Sequence, residues 1–214
     1  MSRKMVSTIL YSILRTLAWM LTHLVCRYRV IGREHVPPTG PLLVVVNHLS
    51  WYDPLLLSVV LPRRVWFFAK VEAFHWPLVG WLARWTEQIP VHRGEGDRAA
   101  LEQALAYLRE GRAVIIFPEG TVERQEEMIA AHTGIAMLAL RSGAAILPIA
   151  HVGTRRILRS LRRWYPRVSV HIAKPYIPSL PEGVTRKVGL QIITNEAMQR
   201  IAEMLPSEQR GIYS

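Results

Sequence analysis

The segment NHLSWYDP, residues 47–54, places a histidine and an aspartate five positions apart, directly after the apolar run PLLVVV. A histidine in water titrates at about pH 6.5, so His48 can take a proton at neutral pH. Asp53 can accept from the other ring nitrogen, fix the tautomer and stabilise the imidazolium. The same residues also suit an ordinary turn, with Asp53 capping a helix that opens at Pro54 and His48 packed beside it.

Three further segments place polar residues at the ends of apolar runs. In FPEGT, residues 117–121, Pro118 and Gly120 force a tight turn that projects Glu119, either into a site or into solvent. IPVHR ends in Arg93, which can grip a phosphate with two bonds or stand as a surface charge. AILPIAHVGT carries Pro148 inside an apolar strand, which predicts an edge or a distorted position.

The elements that must carry these residues alternate in type. RYRVIG reads as a short strand, EHVPPTGP as a turn-rich link and LLVVVNH as a strand buried on both faces. A helix over DPLLLSVVL, a strand over RVWFFAK, which ends at VEAFHWPLVGWL, and a short strand in TEQIPVHR follow. Next come a helix in GEGDRAALEQALAYLREG closed by Gly111, the buried strand AVIIFPEG and a helix in GIAMLALRSG. Strands over AILPIAHVG and RVSVHIAKPY and a helix in VTRKVGLQIITNEAMQRIAEML complete the chain. This alternation predicts an α/β fold, a mainly parallel central sheet flanked by helices. In such sheets, residues at strand ends are where ligands and catalytic groups sit.

From Met5 to Cys26 the chain is mostly apolar and, as a helix, about 33 Å long, enough to cross a bilayer. Yet Val6, Ile9, Leu10, Ile13, Leu14, Leu17, Met20, Leu21 and Leu24 form one stripe, with Thr8, Ser12, Arg15, Thr16, Thr22 and His23 opposite. A spanning helix needs no polar side, and a charge at its centre costs roughly 2.5 kcal/mol or more. The pattern predicts a helix lying in the membrane interface, with Arg3 and Lys4 at one end and Arg27 and Arg29 at the other. A helix packed on the protein's own core has the same pattern. Arg15 and the lack of a small-residue cleavage site argue against a signal peptide.

The 214 residues suffice for one substantial domain, and a mean hydropathy of +0.14 excludes a disordered chain. Net charge is +11, and only four of the 27 basic residues are lysine. An arginine excess suits phosphate-bearing partners such as nucleic acid, anionic lipid or a phosphorylated metabolite. Arg155, Arg156, Arg159, Arg162 and Arg163 share one helical face, which fits an anionic membrane surface or plain solvent. No nucleic-acid-binding motif accompanies the charge, so no nucleic acid partner is expected. A single cysteine, Cys26, excludes an internal disulfide. No G-x-S-x-G, H-E-x-x-H or C-x-x-C pattern occurs, so no serine elbow or metal site is expected. GEGDRA nominally matches a dinucleotide fingerprint, but it does not follow the first strand, and Glu119 is the only acid at a suitable later strand end.

Taken in order, NHLSWYD, IPVHR, FPEGT and ILPIA resemble the four blocks of the glycerolipid acyltransferase family, the lysophosphatidate acyltransferase group. The resemblance runs from about residue 40 to 175 and includes AKVEAFHWPLVG between the first two blocks. It implies a general base at His48 oriented by Asp53, and a substrate-binding set of Lys70, Arg93, Glu119, Gly120, Thr121 and Arg124. The implied reaction moves a fatty acyl group from a thioester of coenzyme A or acyl carrier protein to a lysophospholipid hydroxyl, with no cofactor and no metal. Another lysolipid, a glycolipid or an aminolipid is the alternative acceptor, and a non-catalytic lipid-binding protein the alternative role. Two departures bear on the acceptor. Val122 stands where the family has arginine, and His132 stands where lysine is frequent. The division implied is an anchoring helix over residues 1–28 and an acyltransferase domain over 29–214, on the cytoplasmic face of a membrane.

Overall fold

The computed structural model describes residues 3–92, 97–120, 127–159 and 165–214. Helix α1 (Arg3–Val25) leads into β1 (Arg27–Ile31), β2 (Leu42–Val46), α2 (Asp53–Val60) and β3 (Val65–Lys70). Helices α3 (Val71–His75) and α4 (Pro77–Trp85) precede β4 (Ile89–Val91), α5 (Arg98–Arg109) and β5 (Ala113–Ile116). The remainder is α6 (Gly134–Ser142), β6 (Ala145–Val152), α7 (Thr154–Arg159), β7 (Arg167–Ile172) and α8 (Arg186–Ala202).

The strands form one sheet in the order β1-β7-β6-β2-β5-β3-β4, parallel at every pairing except β6 with β7. The expected mainly parallel α/β sheet is therefore present. β2 is wholly buried between β5 and β6, which explains its unbroken apolar run. Its residues alternate between two cores. Leu43 and Val45 join the side chains of α5, α6 and α8, while Leu42, Val44 and Val46 join Leu56, Leu57 and Val60 of α2. The chain leaves β2 in one direction and reaches β5 and β6 on its two sides, so the crevice at the carboxyl end of β2 is a topological switch point.

Pro148 is not at an edge. It sits in β6, inside the sheet, opposite Val45 of β2. Its carbonyl accepts from Ala173 on the β7 side, just beyond the last paired residues, Ile149 and Ile172. The missing N–H faces the same neighbour, so proline costs only the reciprocal bond at the end of that ladder and leaves the pairing with β2 untouched.

Helix α1 meets the rest of the protein with its small and polar side. Ser7, Tyr11, Ala18 and Thr22 are buried. Arg64 donates to Ser7 Oγ at 2.8 Å, Arg15 to the Leu61 carbonyl at 2.7 Å, and Thr22 Oγ1 lies 2.5 Å from the Tyr52 hydroxyl. Most of the apolar stripe points outward, with Leu24 76% and Leu17 55% exposed. The helix therefore packs on the protein, as the alternative expected, but mainly through its small and polar side, with Val6, Leu10 and Leu14 of the stripe half-buried and the rest outward. Met5–Val25 is long and apolar enough to cross a membrane, yet only 22% of its most apolar stretch is buried in the protein.

Candidate active site

The site grows from the way β2 ends. After Val46 the side chain of Asn47 continues the sheet in place of backbone. Its Nδ2 donates to the His151 carbonyl and its Oδ1 accepts from the His151 N–H, both at 3.0 Å. That clamp ties the loop after β2 to the end of β6 and lets residues 48–52 turn away. Asp53, the first residue of α2, does not cap the helix forward. Its carboxylate reaches back, and Oδ2 accepts from the Leu49 and Ser50 N–H groups, both at 2.8 Å, and from His48 Nδ1 at 2.9 Å.

Asp53 has no exposed surface. Burial alone would push its carboxyl up, but His151 and His48, by charge and hydrogen bonding, outweigh it and hold the group below the usual carboxylate range. An ionised carboxylate on Nδ1 fixes the His48 tautomer with its lone pair on Nε2. The imidazole stacks on Phe117, ring centres 4.0 Å apart, so its plane is set from a second direction. Nε2 has no hydrogen-bond partner among the described residues.

Glu119 comes from the turn after β5. Gly120 closes that turn with φ of +70°, a conformation that favours glycine, and a Cβ there would meet His132 Nε2 at 3.4 Å. The Glu119 carboxylate is buried, with Oε2 3.4 Å from the His48 N–H. Lys70, at the end of β3, places its ammonium 5.6 Å from the centre of the Trp51 ring, on the loop that carries His48. The structure thus gathers His48, Asp53, Glu119, Gly120 and Lys70 at the carboxyl end of the sheet. Arg93, Thr121 and Arg124 lie outside the described residues, as do Val122, Arg162 and Arg163. Asp97, in the nominal dinucleotide motif, caps α5 by accepting from Ala100 and takes the His92 N–H as well.

Sequence reasoning missed three participants. Asn47 was legible as the first polar residue after an apolar strand. His151 was visible as a histidine inside the apolar AILPIAHVG, but nothing in the sequence pairs it with residue 53. Phe117 gave no signal beyond its place before the turn.

Fold and site together define an open α/β protein with a histidine–carboxylate pair at its switch point. The chain belongs to the Acyltransferase family, whose description matches residues 27–152. It is 40% identical over 114 residues to the lyso-ornithine lipid O-acyltransferase of Pseudomonas aeruginosa, covering 53% of this chain and 43% of that protein. It is 30% identical over 190 residues to a 1-acyl-sn-glycerol-3-phosphate acyltransferase of Chlamydomonas reinhardtii, covering 84% and 57%. The chain thus spans about half the length of these curated relatives. Its fold matches the crystal structure of the 1-acyl-sn-glycerophosphate (LPA) acyltransferase PlsC from Thermotoga maritima. That match has a TM-score of 0.74 at 22% identity and covers 95% of this chain and 83% of PlsC.

Proposed function

We propose that the protein is an O-acyltransferase that moves a fatty acyl group from a thioester to the hydroxyl of a lysolipid, with lysophosphatidate as the leading acceptor. The observation that carries the reading is the His48 Nδ1 contact to a buried, ionised Asp53, which leaves Nε2 as the base. Nε2 takes the acceptor's hydroxyl proton as that oxygen attacks the thioester carbonyl. The tetrahedral adduct collapses, the carbon–sulfur bond breaks, and the imidazolium returns the proton to the departing thiolate. Asp53 stabilises the imidazolium between those steps. Charge on the adduct's oxygen requires N–H donors, as acyl transfer does generally. Coenzyme A or acyl carrier protein would carry the acyl group.

A second reading keeps the chemistry and changes the acceptor to a lysolipid with an amino-acid headgroup. It is favoured by the 40% identity to a lyso-ornithine lipid O-acyltransferase and by Val122 in place of the family's arginine. Both readings place α1 in the interface of a membrane, where its outward stripe is covered and the arginine excess meets anionic headgroups. The deciding experiment supplies labelled acyl thioester on each carrier with vesicles holding lysophosphatidate, a lyso-ornithine lipid or a monoacylglycerol. Transfer to lysophosphatidate with the highest kcat/KM is the expected result. Preference for the lyso-ornithine lipid selects the second reading, and no transfer to any acceptor refutes both.

A further inference from the structure

The proposed reaction uses one of the two histidines that meet at Asp53. His151, at the end of β6, is the other, and it has no exposed surface. Its Nε2 lies 3.3 Å from the same oxygen, Oδ2, that holds His48, at an angle poorer than a well-aligned hydrogen bond. Its Nδ1 lies 3.4 Å from the hydroxyl of Thr154, the first residue of α7, which is also fully buried. Its backbone is clamped on both sides by the side chain of Asn47, the residue before His48. A row of side chains therefore runs Thr154–His151–Asp53–His48, its members supplied by β6, α7, the first turn of α2 and the loop after β2.

A buried imidazole is expensive to maintain unless both ring nitrogens are used. Here Thr154 can donate to Nδ1, which leaves the proton on Nε2, facing the carboxylate. The opposite tautomer would set a lone pair against the Asp53 anion. The other titratable groups near His48 are Lys70 beside Trp51 of the same loop, Glu119 in the turn after β5 and, through the turn at Gly120, His132. Tyr213 lies near Glu119, and its hydroxyl accepts from the Ala131 N–H. Among these, His151 is the group that shares Asp53 Oδ2 with His48.

We propose that His151 is a positioning residue: its Nε2–H faces the same Asp53 oxygen that holds His48, and so sets the orientation and basicity of His48. This rests on the reading of His48 as the base. With His151 gone, Asp53 keeps its two backbone donors but loses an imidazole that offsets its charge. The imidazolium form of His48 is then favoured, so the base is occupied to higher pH.

The test compares His151→Phe, which keeps a ring and removes the donor, with His151→Gln, whose amide can replace Nε2–H. Transfer is followed against pH with the acceptor found active above. For His151→Phe, kcat falls about ten- to a hundredfold with KM for both substrates unchanged, the size seen for outer partners of metal-bound histidines. The acid limb of its kcat/KM profile moves up by ~0.5–1 pH unit. His151→Gln recovers most of the rate and returns the limb. An unmoved limb, or equal losses in Phe and Gln, makes His151 a packing residue and overturns the proposal. Nitrogen-15 spectra of the unsubstituted protein give a check free of folding effects. The Nε2–H tautomer of His151 supports the proposal, and the Nδ1–H tautomer sinks it. If His48→Ala retains activity, the fault lies with the base assignment and not with His151.

Discussion

Two regions invert the usual rule of burial in opposite senses. At the carboxyl end of the sheet, ionisable groups are inside: Asp53 and His151 are fully buried and Glu119 is 4% exposed. Along α1 large apolar side chains are outside, while Ser7 and Thr22 face the protein. Each arrangement costs stability in water, the first through desolvation and the second through exposed apolar surface. The first is offset within the fold, because Asp53 collects two backbone donors and two imidazoles. The second finds no cover among the described residues, so what offsets it must come from outside. Both places carry the proposed function for the same reason: sequence features that oppose stability persist where something else requires them.

Substitutions at the two regions should separate cleanly. The largest effect belongs to His48→Ala, which should lower acyl transfer about 10³-fold or more in a labelled-thioester assay, while vesicle binding and melting temperature hold. Asp53→Asn should cost less than His48→Ala but still a large factor, since the loop donors keep an acceptor while the tautomer is lost. Turnover near normal in His48→Ala would remove the buried region from the chemistry.

On the other side, Ile13→Glu with Leu17→Glu should weaken vesicle binding about a hundredfold by sedimentation. Each buried aliphatic side chain is worth about 1.5–3 kcal/mol, or tenfold and more in affinity. The melting temperature should not change, since neither residue packs inward. Ala18→Leu on the docked face should do the reverse, destabilising the fold by about 1–3 kcal/mol through overpacking. Unchanged binding in the double glutamate variant would end the interfacial assignment of α1.

A smaller effect should appear in acid. The Asp53 carboxyl is held below its unfolded value, so its contribution to stability is present above about pH 4 and is lost as pH falls towards the folded value. Urea midpoints of the native protein and Asp53→Asn should differ at pH 6 and converge below pH 4. A gap that stays constant with pH would mean that Asp53 is not ionised in the fold. Smallest of all is the effect expected at Cys26, whose thiol is buried and pushed up to about 11. A thiol-alkylating reagent at pH 7.5 should leave transfer unchanged, and inactivation would place a reactive group next to α1.

The sequence by itself determined the strand order and most of the helices, the mainly parallel character of the sheet and the spacing that lets His48 meet Asp53, but not the helices α3 and α4 in VEAFHWPLVGWL. Those features are local: an apolar run reports burial, and a five-residue spacing lets a loop fold a carboxylate back onto the ring that precedes it. For Pro148 the edge alternative failed because a missing N–H can be read from sequence, whereas the side it faces and the end of the neighbouring ladder cannot. The stripe of α1 was legible, but its direction was not, since an amphipathic pattern names two faces and not which one is covered. Tertiary structure decided that: Arg64 and Tyr52 hold the face of Ser7, Tyr11, Ala18 and Thr22, while Thr8, Ser12, Thr16 and His23 stay exposed. It also brought His151 to Asp53 across ninety-eight positions of chain, 151 less 53. No periodicity records that contact. It follows from β6 lying beside β2 in the sheet, with the Asn47 side chain fixing how the two strand ends meet.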